Sequence, residues 1–301
     1  MKKLLKWAGL VLGGLVGLAV LALAVVYGVS EFHMRKTYNV AAMALVVPGD
    51  SETVARGRHV AITRGCNDCH GENLAGGTVI DAPPVARLFA TNLTRGEGGV
   101  AAGYQDADWE RAIRHGVRPD GKPLLFMPSH EFYPLSDADA SALIAYLKSL
   151  PPVDNRPGKT RIGPVGRALY LAGQMHLLPA ELIDHSAPRP AAPVAGATVE
   201  YGAYLATGCV GCHGDGYSGG KIPGAPPEFP IPTNITPDRQ TGIGSWTEQE
   251  FFRSLREGKR PDGSEINPFM PWKNFSQMTD EEIRAIYLYL QSLPARPFGK
   301  R

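Results

Sequence analysis

All four cysteines of this chain sit in two copies of one pattern, Cys66-Asn67-Asp68-Cys69-His70 and Cys209-Val210-Gly211-Cys212-His213. C-x-x-C-H is the spacing of covalent haem attachment: two thiols one helical turn apart each add to a porphyrin vinyl group, and the adjacent histidine turns toward the iron. A thioredoxin-like site would need a strand-to-helix setting, whereas both motifs follow helical stretches. A structural zinc site would need four ligands closing on one metal. With every cysteine assigned in this way, none remains for a structural disulfide.

The two motifs start 143 positions apart, and the sequences around them match over about a hundred residues. Ala82-Pro83-Pro84 parallels Ala225-Pro226-Pro227, and Thr91-Asn92-Leu93-Thr94 parallels Thr233-Asn234-Ile235-Thr236. Arg118-Pro119-Asp120-Gly121 parallels Arg260-Pro261-Asp262-Gly263, and Ser149-Leu150-Pro151 parallels Ser292-Leu293-Pro294. So long a period means a duplicated domain and not a solenoid array. Phe126-Met127-Pro128 and Phe269-Met270-Pro271 repeat at the same spacing, each methionine 61 residues after the first cysteine of its unit. A lone methionine is readily explained as core filler. Two at one offset in one setting fit a thioether as sixth iron ligand, a soft donor that favours reduced iron and raises its potential. The site expected from the residues is therefore Cys66, Cys69, Cys209 and Cys212 as haem attachments, with His70, Met127, His213 and Met270 as axial ligands. His33, His59, His115, His130 and His185 lack a histidine partner in the other unit, Met278 is matched by Leu135, and Met175 and His176 lie between the units. All are expected to be surface or core residues.

Each unit reads as three helices around a flat cofactor. The first helix covers roughly Thr53 to Gly65 in one unit and Glu200 to Gly208 in the other; the middle one covers Asp106 to His115 and Thr247 to Glu257. Thr247 and Glu250 form a capping box, and Gly116 and Gly258 are natural stops. The last helices start at Ser136 and Thr279 and end before Pro151 and Pro294; Ala140, Leu143, Ile144 and Leu147 share one face of the first, and Ile283, Ile286, Tyr287 and Leu290 one face of the second. These apolar faces are modest, so the haem is expected to complete the core and the haem-free chain to fold poorly. Gly and Pro, 35 and 26 residues, make up about a fifth of the chain, which favours short helices with ordered loops over long sheets. The paired Asn92/Asn234 and Trp109/Trp246 are candidates to hold haem propionates, with turn chemistry and packing as the competing roles.

Lys2, Lys3 and Lys6 are the only charged side chains before Glu31, and the 22 residues from Ala8 to Val29 carry no charge. Such a run spans the ~30 Å hydrocarbon core and exceeds the ~7–15 residues of a cleaved signal, which favours an uncleaved anchor; Gly28-Val29-Ser30 leaves cleavage as the rival. The lysines would stay cytoplasmic and the rest of the chain outside, on the periplasmic side of a bacterial cytoplasmic membrane. With those lysines set aside, 28 basic residues face 29 acidic ones, so there is no footprint for nucleic acid. The organisation expected is an anchor at 1–30, a juxtamembrane segment at 31–47, domains at 48–153 and 196–298, and a connector at 154–195 that is Pro/Ala-rich near Ala187 to Ala197 and carries a short helix near Gly166 to Leu177.

Two C-x-x-C-H units, each with Thr-Asn-x-Thr, a Pro-Asp-Gly turn and a Phe-Met-Pro loop, resemble class I c-type cytochromes, and are most similar to the cytochrome subunits of membrane-bound bacterial dehydrogenases. The resemblance implies a mainly α fold of two tandem class I cytochrome c domains behind an N-terminal transmembrane helix, with two covalently bound haem c groups. It implies electron relay from a dehydrogenase subunit to the respiratory chain. One feature departs from it: many such subunits carry three haem motifs, and this chain carries two. If histidine and methionine fill both axial positions, no open site remains for substrate, and the chain is an electron carrier and not itself a catalyst. The alternatives are a dihaem enzyme of the peroxidase or thiosulfate-oxidising type and a haem gas sensor; each needs an open or readily vacated iron position.

Overall fold

The computed structural model describes residues 1–188 and 191–301. A 34-residue helix, Lys2–Arg35, opens the chain and leads through an extended segment into two helical domains of matching build. In each domain a first helix (Ser51–Thr63; Val199–Ala206) runs into an attachment turn (Cys66–His70; Val210–His213). In the second domain a 3-10 turn, Thr207–Cys209, joins the two. The closing helices are Asp137–Ser149 and Asp280–Ser292.

The caps form as the sequence implies. Ser136 accepts from the Asp139 amide at 3.0 Å, and Thr279 accepts from the Glu282 amide at 3.2 Å while its own amide donates back to Glu282 at 2.7 Å. Gly116 and Gly258 stop the middle helices in left-handed geometry, at φ 65° and 67°. The middle helix Glu248–Glu257 is regular, with its Thr247 capping box in place. Its counterpart is α-helical only over Asp106–Glu110 and continues as a π-helical turn, Arg111–His115. That turn carries Arg114, fully buried, whose guanidinium donates to the Leu135 carbonyl at 2.5 Å and to Asp137 at 2.9 Å. Arg256 does the same in the second domain, reaching the Ser276 carbonyl and Asp280. The middle helix is thus tied to the start of the closing helix in both units.

First and closing helices cross at a glycine. A Cβ on Gly57 would overlap the Ala142 carbonyl, and one on Gly202 the Ala285 carbonyl, so only glycine permits this approach. Around each crossing lies one apolar core. In the first domain it includes Val60, Trp109, Ile113, Leu143, Ile144 and Leu147. In the second it includes Leu205, Phe251, Leu255, Ile283, Ile286 and Leu290. Tyr287, expected on the buried face, sits at the core edge and donates its hydroxyl to the Trp246 carbonyl at 2.9 Å.

A three-stranded antiparallel sheet, Gly77–Ala82, Ala86–Ala90 and Arg161–Ile162, adds to the helices expected from the sequence. The third strand belongs to the connector. The connector is therefore packed onto the first domain, with Ala86, Leu88, Ile162, Leu177 and Leu178 forming a separate small core. Its helix is Pro164–Leu171, shorter than the expected segment, and a 3-10 turn, Pro179–Leu182, follows.

Candidate haem sites

The two attachment turns present their residues in the same way. The backbone passes through a left-handed glycine just after each histidine, Gly71 at φ 78° and Gly214 at φ 80°. This returns the chain so that the histidine ring meets a loop carbonyl. His70 Nδ1 donates to the Thr91 carbonyl at 2.7 Å, and His213 Nδ1 donates to the Thr233 carbonyl, also at 2.7 Å. A carbonyl can only accept, so each bond fixes the proton on Nδ1 and leaves the Nε2 lone pair for an iron. Burial holds both imidazoles below their ordinary titration range, and so keeps them in the neutral, ligating form; the carbonyl bonds pull the other way.

Burial pushes the Cys66 and Cys209 thiols up to about 12, and raises Cys69 and Cys212 as well. Reactive or redox cysteines need the opposite, a lowered thiol pKa. The structure thus disfavours a thioredoxin-like role.

The methionines come from a matching device. A Pro-Asp-Gly hairpin closes with Arg118 and Arg260 amides on the Lys122 and Ser264 carbonyls, at 2.9 and 2.8 Å. The chain then returns to the middle-helix glycine: the Leu124 amide donates to Gly116 and the Ile266 amide to Gly258, both at 2.7 Å. Met127 and Met270 follow, each packed against the core that its domain's first cysteine also touches. A short helix comes after each methionine, Ser129–Phe132 and Trp272–Phe275. The first loop is pinned further, with Phe126 in left-handed geometry at φ 66° and its amide on the Leu177 carbonyl at 2.9 Å.

The structure divides the propionate candidates. Asn92 Nδ2 is spent on the Val153 and Asn155 carbonyls, at 2.8 and 3.1 Å, and Asn234 Nδ2 on Thr241 and the Arg296 carbonyl, at 2.9 and 2.7 Å. Each Oδ1 accepts from the threonine amide two residues on, at 2.9 Å in both domains. The asparagines are staples between this loop and the chain after the closing helix. Trp109, 2% exposed, has its Nε1 without a partner. A buried indole N–H without a partner is what an absent acceptor, such as a propionate, leaves behind. Trp246 is only half-buried.

Four of the five unmatched histidines find hydrogen-bond partners in the protein. His59 bonds Glu282 at 2.9 Å, His33 bonds Glu181 at 2.7 Å, and His115 and His185 meet through their Nδ1 atoms at 2.9 Å. His130 packs edge-on against His176.

The boundary between the domains was not legible in the sequence. Arg64, two residues before Cys66, donates to Thr207 at 2.9 Å and to the Leu205 and Tyr204 carbonyls at 3.2 Å, capping the end of the second domain's first helix. Tyr204 reaches Asp139 at 2.5 Å. Asn274, from the helix after Met270, bridges Asn67 and Asp68 inside the first attachment turn. Reciprocally, Glu131, from the helix after Met127, lies against Gly211 inside the second turn, and burial pushes its carboxyl up to about 7.

The cytochrome c family matches the chain twice, over residues 54–151 and 199–294. The chain belongs to the cytochrome c family. It has two tandem cytochrome c domains in a mainly helical fold, and two haem c groups are its covalent cofactors. The chain is 34% identical to the fructose dehydrogenase cytochrome subunit of Gluconobacter japonicus over 81% of its length and 53% of that protein's. It is 27% identical to the cytochrome c subunit of the quinone alcohol dehydrogenase of Gluconacetobacter polyoxogenes over 88% of its length and 63% of the relative's. It is also 36% identical to a nicotinate dehydrogenase subunit of Pseudomonas putida, over 80% of its length and 21% of that protein's. The chain thus spans little more than half the length of the first two relatives.

Proposed function

We propose that this cytochrome relays electrons from a membrane-bound dehydrogenase subunit to an acceptor in the respiratory chain. In this reading Cys66 and Cys69 hold one haem by thioether bonds while His70 and Met127 ligate its iron. Cys209, Cys212, His213 and Met270 do the same for the other. When bound, the haems supply one-electron carriage between ferric and ferrous iron. The residues do the rest: the Thr91 and Thr233 carbonyls orient the histidines, the matched hairpins present the methionines, Trp109 Nε1 serves a propionate, and the apolar cores keep water from the cofactors.

The observation that carries this reading is the matched pair of histidine–carbonyl bonds at 2.7 Å, each in a domain whose core holds a cysteine and a methionine together. With a histidine and a methionine holding each iron, no position on it would be left for substrate. The same reading takes 48–153 and 196–298 as the haem domains, 154–195 as connector and 31–47 as juxtamembrane segment. Lys2–Arg35, long and apolar enough to cross a membrane, spans the bacterial cytoplasmic membrane once, with its lysines inside and the haem domains in the periplasm. Both attachment turns border the domain boundary, where Asn274 reaches the first turn and Glu131 lies against the second.

The test is carbon monoxide added to the purified, reduced full-length protein at neutral pH. An unchanged spectrum is expected. Ready carbon monoxide binding, or peroxide turnover by the isolated protein, would overturn the carrier reading in favour of an enzyme or sensor.

A further inference from the structure

The connector helix Pro164–Leu171 meets the N-terminal helix at an informative depth. Arg167 stacks its guanidinium over the Tyr27 ring, 4.5 Å from the centroid, and donates to Ser30 Oγ at 2.7 Å and Glu31 Oε2 at 3.0 Å. Tyr27 belongs to the uncharged run that ends at Val29. At about 1.5 Å per residue, Tyr27 is only a few ångströms inside that end, where aromatic rings sit at a membrane interface. Any element touching it is at the lipid surface too.

Two contacts hold the connector helix in this place. Gly166 is buried against the first domain's sheet, where a Cβ would overlap the Val85 carbonyl. Arg167 ties its next side to the spanning helix. The remaining side is exposed and made of Val165, Ala168, Leu171 and Ala172, with no polar group among them. Val165 is 42% and Leu171 38% exposed. Beside it, Glu181 bonds both His33 at 2.7 Å and Tyr170 at 2.6 Å, which ties the neighbouring 3-10 turn, with its exposed Leu182, to both helices. An apolar face continuous with the end of a membrane-spanning run is what an interfacial helix presents to lipid.

We propose that the connector helix Pro164–Leu171 lies in the outer membrane interface, with Val165, Ala168 and Leu171 among the lipids of the same bilayer the N-terminal helix crosses. The occupant of this face is the bilayer. The proposal rests on the spanning reading of Lys2–Arg35. It gives the protein two membrane contacts, and two contacts fix the tilt of the first haem domain where one helix alone would leave it free to swivel.

The experiment uses the full haem-loaded chain in phosphatidylcholine–phosphatidylglycerol vesicles. Because the native cysteines are consumed as thioethers, a single introduced cysteine takes a nitroxide label selectively. Val165→Cys, Leu171→Cys and Leu182→Cys are compared with Leu18→Cys in the spanning run and Ile231→Cys, an exposed site in the second domain. Collision with oxygen and with a water-soluble nickel chelate is read for each. The expected result is a shift of the Val165 and Leu171 labels toward the oxygen-rich, nickel-poor signature of Leu18, while Ile231 stays aqueous. Nickel-accessible labels at Val165 and Leu171 beside a lipid-like Leu18 overturn the proposal alone. A nickel-accessible Leu18 fails the spanning reading and the proposal with it. Labels shielded from both reagents place a protein on this face and overturn the lipid assignment.

Discussion

Asn274 Nδ2 donates to Asp68 Oδ1 across the domain boundary at 2.8 Å, while Asn274 Oδ1 accepts from Asn67 at 3.1 Å. One side chain behind the second domain's methionine loop thus grips two residues of the first domain's attachment turn. Asn274→Ala removes both bonds and is expected to weaken docking by about 0.5–1.5 kcal/mol for each. Thermal unfolding should then broaden or split as the two domains lose cooperativity. An unaltered single transition would contradict the contact's role.

Glu131 makes the reciprocal contact with Gly211, with Arg64 and His130 as the charged and titratable groups near it. Burial raises its carboxyl to about 7, so it gains its negative charge as pH climbs through neutrality. Negative charge against the second attachment turn would favour ferric iron in a haem held there, and the potential of that haem is expected to fall as pH rises through about 7. Glu131→Gln should hold the potential at its low-pH value. A pH dependence that persists in Glu131→Gln, measured by spectroelectrochemical titration, would refute this.

His59 and Glu282 pair across the same boundary. The Glu282 hydrogen bond raises His59 above its ordinary 6.5, against burial. Burial pushes Glu282 up, but the His59 and Thr279 bonds leave its carboxyl below the ordinary 4.5. The histidine's contribution is complete below 6.5 and fades as pH rises through its raised value. The carboxylate's is complete above 4.5 and fades as pH falls through its lowered value. Docking is strongest between these limits. His59→Ala should therefore destabilise the protein more at about pH 5.5 than at about pH 8.5 in denaturant unfolding. Equal losses at both would exclude the pair as the cause.

Gly202→Ala and Gly57→Ala force a methyl group into the facing helix's backbone. Each is expected to cost its own domain about 1–3 kcal/mol. Loss of melting temperature with unchanged haem content checks this; wild-type stability would show that the helices can separate freely.

The motif residues and helix caps were legible because they are local: Thr279 and Glu282 are three residues apart, and their bonds form within one turn. The duplication supplied the rest of the site, since Met127 alone is an ordinary core residue and gains meaning only beside Met270. What escaped was non-local. The sheet pairs Ala86–Ala90 with Arg161–Ile162 from a distant connector, and Pro83 and Pro84 obscure the strand pattern there. Gly57 and Gly202 read as helix-weakening glycines until the partner helix appears. Arg114 and Arg256 are a matched pair whose repetition was a usable signal. Arg64 and Glu131 escaped because the residues at their equivalent positions, Thr207 and Asn274, are of other types, so the repeat does not flag contacts that the two domains make reciprocally.

The proposed ligand set requires two low-spin haems, each held between an imidazole and a thioether. The most direct measurement is the electron paramagnetic resonance spectrum of oxidised full-length protein, with haem content from the pyridine haemochrome. Two haem c groups and two low-spin irons are expected in the native chain, with Met127→Ala and Met270→Ala each converting one iron to high spin. A high-spin iron in the native protein, or methionine variants with the native spectrum, would contradict it.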